Sequence, residues 1–138
     1  MLLHGNVTML QDFLASRVVD ALSQRFRVIV FDRPGFGYSE RPRGHDWTAE
    51  EQAAAIASAM EQLGIVRPVV LGHSWGTLVA LALVQAFPAR VGSLVLLSGY
   101  YFPKPRVDVA LAALGAMPLL GDVLRYTRRR YSRCLPCR

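Results

Sequence analysis

Pro68-Val69-Val70-Leu71-Gly72-His73-Ser74-Trp75-Gly76-Thr77 decides the reading of this chain. A β-branched run ends in Gly72, a serine follows two residues later, and Gly76 comes two beyond it. The helix-forming stretch Leu78 to Phe87 follows. This is G-x-S-x-G in the strand–turn–helix setting of a nucleophile elbow. A serine on so sharp a turn must take a backbone with φ above zero, at a cost of order 1–3 kcal/mol. Strand and helix then approach so closely that Gly72 and Gly76 are the residues that fit on either side. The gain is geometric: the Ser74 hydroxyl stands clear of the sheet. The Trp75 backbone N–H, at the helix N-terminus, is placed where a developing oxyanion would sit.

The remainder is consistent with one folded domain. The 138 residues are 52% hydrophobic and 19% charged, a globular balance. The net charge of +6 is not spread over the chain. Arg125, Arg128, Arg129, Arg130, Arg133 and Arg138 crowd the last 14 positions, which hold no acidic residue, so residues 1–124 are neutral overall. The basicity belongs to a tail, and no nucleic-acid partner is expected. Both cysteines, Cys134 and Cys137, lie there too. Their C-x-x-C spacing lacks the strand–helix setting of a redox pair and the four ligands of a zinc site, so a disordered or non-native end is the plainer reading. Met1-Leu2-Leu3 leads straight into His4-Gly5 without the charged n-region of a signal peptide, and the apolar run Leu78 to Phe87 is far short of the ~20 residues of a spanning helix. The expectation is a soluble, cytoplasmic protein with no membrane span, no metal and no cofactor; its oligomeric state is left open.

In chain order, Met1-Leu2-Leu3 reads as the end of a strand entering the turn His4-Gly5-Asn6. Leu10, Phe13, Leu14, Val18 and Leu22 give Met9 to Ser23 a helical spacing. Arg27 to Asp32 is expected as a buried strand, stopped by the breakers Arg33-Pro34-Gly35-Phe36-Gly37. Thr48-Ala49-Glu50-Glu51 is a capping box opening a helix with Ile56, Met60 and Leu63 on one face, closed by Gly64. Val91 to Ser98 is a further strand. Alternating strands and helices predict a parallel α/β sheet, with ligands at the carboxyl ends of its strands. From Tyr100 the pattern changes to an aromatic, proline-broken loop and then an apolar, helical stretch over Val107 to Leu120.

Three motifs in order, Leu3-His4-Gly5-Asn6, Asp32-Arg33-Pro34-Gly35-Phe36-Gly37-Tyr38-Ser39 and Gly72-His73-Ser74-Trp75-Gly76, resemble the α/β-hydrolase fold superfamily. The likeness is good over residues 1–103 and loose beyond. It implies a three-layer α/β sandwich truncated at both ends. Residues 1–99 would be a partial core running from the end of the family's third strand to its sixth. Residues 100–124 would begin a cap region, and 125–138 would be the tail. Met1-Leu2-Leu3 would then lie between the Arg27–Asp32 strand and the elbow strand. The resemblance makes Ser74 the nucleophile and gives the oxyanion hole its second N–H at Asn6. Asp32 is not expected as the catalytic acid, which the family carries elsewhere. His4 is expected to shape its turn through a backbone hydrogen bond. His73 is expected to point away from Ser74 in a structural role, and His45 to lie in a solvated loop.

The implied reaction is hydrolysis of a small acyl compound, a carboxylic ester in the first instance, through an acyl-enzyme. Met9, Trp75, Tyr100, Tyr101 and Phe102 are candidate pocket lining, with core packing the alternative for each. The family's order is serine, acid, histidine. After Ser74 this chain has Asp108 and Asp122 but no histidine, so the alternative is a catalytically incomplete fragment, inactive alone. Unpaired strand edges and bare apolar faces would make such a piece poorly soluble. Dinucleotide binding through Gly35-Phe36-Gly37 is excluded by Glu40 where a third glycine would stand.

Overall fold

A computed structural model describes residues 1–42, 44, 46–99 and 101. The chain divides into two units, Met1–Tyr101 and Phe102–Arg138, and the second lies outside the described residues. So do the helix expected over 107–120, Asp108, Asp122 and the tail.

The first unit is an α/β layer structure. Four parallel strands, β1 (Leu2–Leu3), β2 (Val30–Phe31), β3 (Val69–His73) and β4 (Ser93–Leu97), run in the order β2-β1-β3-β4. Leu2 and Leu3 therefore sit between the second and third strands, opposite Val30 and Phe31 on one side and Leu71 and Gly72 on the other. β3 and β4 pair over five residues, from Val69 opposite Ser93 to His73 opposite Leu97. The strand expected over Arg27–Asp32 is shorter and half-buried: β1 offers only two residues to pair with it, and it lies at the sheet's edge.

Side-chain alternation along the strands assigns the faces. Leu3 and Val70 point into the core, where they meet Ala53, Ile56 and Met60 of α3 (Ala49–Gln62) and Val79, Ala80 and Leu83 of α4 (Gly76–Ala86). α3 starts as the sequence predicts. Thr48 Oγ1 accepts from the Glu51 N–H at 3.3 Å, and the Glu51 carboxylate accepts from the Thr48 N–H at 3.3 Å. Thr48→Ala should cost about 1 kcal/mol, read as a shift in the urea midpoint. The expected helix over 9–23 is instead two, α1 (Leu10–Ala15) and α2 (Val18–Ser23). Arg17 between them takes φ of 60°, which no α-helix accommodates.

Among the described residues, the opposite face of the sheet is only partly covered. Leu2, Val69, Leu71 and Val95 line a groove of about 250 Å³ with Leu22 and Phe26, and Val69 remains 52% exposed. This groove reaches Arg27, Val28 and Pro68, which precede β2 and β3, so it lies at the amino ends of the strands. Ser74 is at the other end. No helix among the described residues is long and apolar enough to cross a membrane.

Candidate active site

β3 ends at His73, and α4 begins at Gly76, so the chain reverses within two residues. Ser74 makes that bend with φ of 51°. Its N–H still belongs to the sheet, donating to Leu97 O at 2.9 Å. Its carbonyl accepts from the Thr77 N–H at 3.1 Å and from Thr77 Oγ1 at 2.6 Å, and Thr77 is fully buried. The strained residue is therefore held from both sides. A Cβ on Gly72 would come within 2.6 Å of Gly76 O, and one on Gly76 within 2.6 Å of His4 O. Strand, helix and the turn after β1 converge on this point.

That turn is the second half of the site. A Cβ built on Gly5 would lie 2.9 Å from Ser74 Cβ and 3.4 Å from His73 Nδ1, so Gly5 packs directly against the end of the elbow strand. The Gly5 carbonyl faces inward and accepts three hydrogen bonds: His4 Nδ1–H at 2.8 Å, Arg33 Nη2–H at 2.8 Å and Thr8 Oγ1–H at 2.9 Å. Among the described residues, no hydrogen bond engages the N–H of Asn6 or of Trp75.

His4 is buried, and one tautomer satisfies both its nitrogens. Nδ1 must carry the proton given to Gly5 O, because a carbonyl only accepts, and Nε2 accepts from the Arg33 N–H at 3.0 Å. Its 3.9 Å separation from Asp32 Oδ1 is therefore no ion pair. Burial lowers the His4 pKa, helped by the Arg33 charge and opposed by the Gly5 hydrogen bond and by Asp32. The stability tied to the neutral ring is thus complete above the ordinary value of 6.5 and is lost as pH falls through the lowered folded value. Urea midpoints should decline between pH 7.5 and pH 5 in the parent chain, and the part due to this ring should vanish in His4→Asn.

Asp32, whose side chain is 4% exposed, holds the neighbouring loop. Its carboxylate accepts from the Leu10 N–H at 2.8 Å and the Tyr38 N–H at 3.1 Å, and its carbonyl from Ser39 Oγ at 2.7 Å. Arg33, 1% exposed, crosses beneath the turn. Nε donates to His4 O at 2.9 Å, Nη1 to Gln52 Oε1 at 3.0 Å, and Nη2 also to Asn6 Oδ1 at 3.1 Å. Its Cζ lies 4.6 Å from the Phe36 ring centre and 4.8 Å from that of Trp75.

Of the candidate lining residues, Met9 is 40% exposed, and Trp75 packs on Arg33 and the core cluster. Tyr101 lays its hydroxyl against Gly99. Tyr100, Phe102 and His45 lie outside the described residues. Arg33 and Thr77 stand within sequence motifs that do not reveal their partners, and Gln52 stands outside them. Gln52 had a signal, being a polar residue four positions before Ile56 and eight before Met60 on an otherwise apolar stripe. Val7 had none: it is 90% exposed beside the turn with φ of 63°, where valine is strongly disfavoured. Among the described residues, no three His, Cys, Asp or Glu side chains gather as a metal site would need.

Residues 1–131 match the α/β hydrolase fold family, and the chain belongs to it. Haloalkane dehalogenase 2 of Mycobacterium tuberculosis is 35% identical over 103 residues, 75% of this chain and 35% of that protein. Among solved structures, a thermophilic esterase from Thermogutta terrifontis superposes with a TM-score of 0.71 at 30% identity, over 83% of this chain and 42% of its own. Cfl2 of Burkholderia cenocepacia gives 0.76 at 25% identity, over 94% and 47%. The chain thus spans about a third of the length of the curated relative and under half of either solved structure.

Proposed function

We propose that Ser74 is the nucleophile of a hydrolase acting on small acyl compounds, carboxylic esters first among them, with the N–H groups of Trp75 and Asn6 as the oxyanion hole. The observation that carries this reading is the positive φ of Ser74 at the carboxyl end of a central strand. That strain is stored at the residue whose hydroxyl such a bend lifts from a sheet, against the Gly5 turn, and the N–H groups of Trp75 and Asn6 have no partner among the described residues. The hydroxyl oxygen adds to the acyl carbon as its proton is taken up, the carbonyl oxygen becomes an oxyanion facing the two donors, and the alkoxide regains that proton and leaves as the alcohol. Water then cleaves the acyl-serine. The hydroxyl also favours acyl substrates over haloalkanes. Displacing a halide would leave an alkyl ether, which has no carbonyl for water to attack.

A second reading stands beside the first, because both nitrogens of His4 are engaged and no histidine follows Ser74 in this chain. A serine hydroxyl needs a base, so the chain alone is expected to be slow or inert. A fluorophosphonate probe decides between the two. Labelling of the chain that disappears in Ser74→Ala supports an activated serine. Absent labelling, with p-nitrophenyl ester turnover no faster than buffer, leaves the incomplete fragment as the description of this polypeptide.

A further inference from the structure

Arg33 is a guanidinium buried in the core of the first unit. Two of its side-chain nitrogens, Nε and Nη2, converge on one turn. Nε holds His4 O, while Nη2 holds Gly5 O and Asn6 Oδ1. A trans peptide is planar, so its C=O and N–H point in opposite directions. Fixing the Gly5 carbonyl from inside therefore fixes the Asn6 N–H outward, away from Arg33, in the turn that packs against Ser74. The same peptide is polarised, because hydrogen bonds donated to a carbonyl strengthen the N–H across the amide. The other face of the guanidinium lies against Trp75, the residue carrying the second N–H. Its orientation is set in turn from α3, where Gln52 accepts from Nη1 and donates to Trp47 O at 2.7 Å.

We propose that Arg33 is the positioning residue of the oxyanion hole, clamping the Gly5–Asn6 peptide so that its N–H meets the developing oxyanion while stacking on Trp75. This rests on the reading of Ser74 as a nucleophile. Arg33 touches no substrate, and its charge adds a favourable field at the oxyanion from behind the peptide. Lysine is a poor replacement, because one ammonium cannot span His4 O and Gly5 O in the plane that the guanidinium fork provides.

The test is the two-parameter kinetics of Ser74 labelling by a fluorophosphonate in the full chain, comparing the parent with Arg33→Met, Arg33→Lys and Gln52→Met. The expected result is a fall in the maximal labelling rate of about 10- to 100-fold in Arg33→Met. That is less than the roughly 10²–10³-fold cost of deleting an oxyanion donor outright. Half-saturation should stay unchanged, Arg33→Lys should recover little, and Gln52→Met should lie between. A folded Arg33→Met protein labelling at the parental maximal rate, or one losing only probe affinity, overturns the assignment. If Arg33→Met does not fold, Gln52→Met carries the same comparison. Should the parent not label at all, the nucleophile reading fails, and NMR decides the clamp. Slowly exchanging Arg33 Nη protons coupled to the Gly5 carbonyl carbon, with an Asn6 amide shift that moves in Gln52→Met, support it. Freely exchanging protons and an unmoved Asn6 amide refute it.

Discussion

Gly76→Ala should be among the most damaging single substitutions in the first unit, lowering stability by about 3 kcal/mol. The added methyl would fall onto the Leu3 carbonyl and within 2.6 Å of His4 O, and both obstacles are backbone. No rotamer change relieves such a clash. α4 or β1 must shift, and β1 is the strand between β2 and β3. Gly64→Ala is the matched comparison. Gly64 takes φ of 61° with nothing within 4 Å of its would-be Cβ, so only the conformational penalty of about 1–2 kcal/mol applies. Urea unfolding of both variants separates close approach from backbone preference. Equal losses would mean that the contact between α4 and the turn after β1 is looser than described.

Asp32→Ala should cost about 3 kcal/mol. Its carboxylate accepts two backbone N–H groups from segments far apart in sequence, Leu10 opening α1 and Tyr38 in the following loop, and hydrogen bonds to a charged acceptor are the stronger kind. Removing it strands both donors. Asp32→Asn keeps one acceptor oxygen and should fall between. Because Asp32 is placed as a structural anchor, its loss should act through unfolding. Folded Asp32→Asn protein should label at Ser74 as the parent does. A selective loss of labelling in stable protein would instead make this carboxylate part of the chemistry.

Much of this architecture is legible from local sequence. Gly72 and Gly76 flanking Ser74 specify the bend, because few residues fit where a strand and a helix meet this closely. Thr48 and Glu51 specify a helix start because the reciprocal bonds involve neighbours only. Tertiary context decides the rest. Periodicity over Met9–Ser23 could not report a left-handed residue at Arg17. Nor could the apolar run Arg27–Asp32 reveal that β1 offers only two residues to pair with. Arg33 read as part of a turn because its partners, His4, Gly5, Asn6 and Gln52, are brought to it only by folding.

His4 and Gly5 follow directly from β1, a strand of two residues bonded on both sides. So short a strand cannot fray: it is either seated or gone. When it leaves, the Gly5 turn leaves with it, and β2 parts from β3. The placing of the Gly5 turn against Ser74 and the continuity of the sheet are therefore one cooperative quantity.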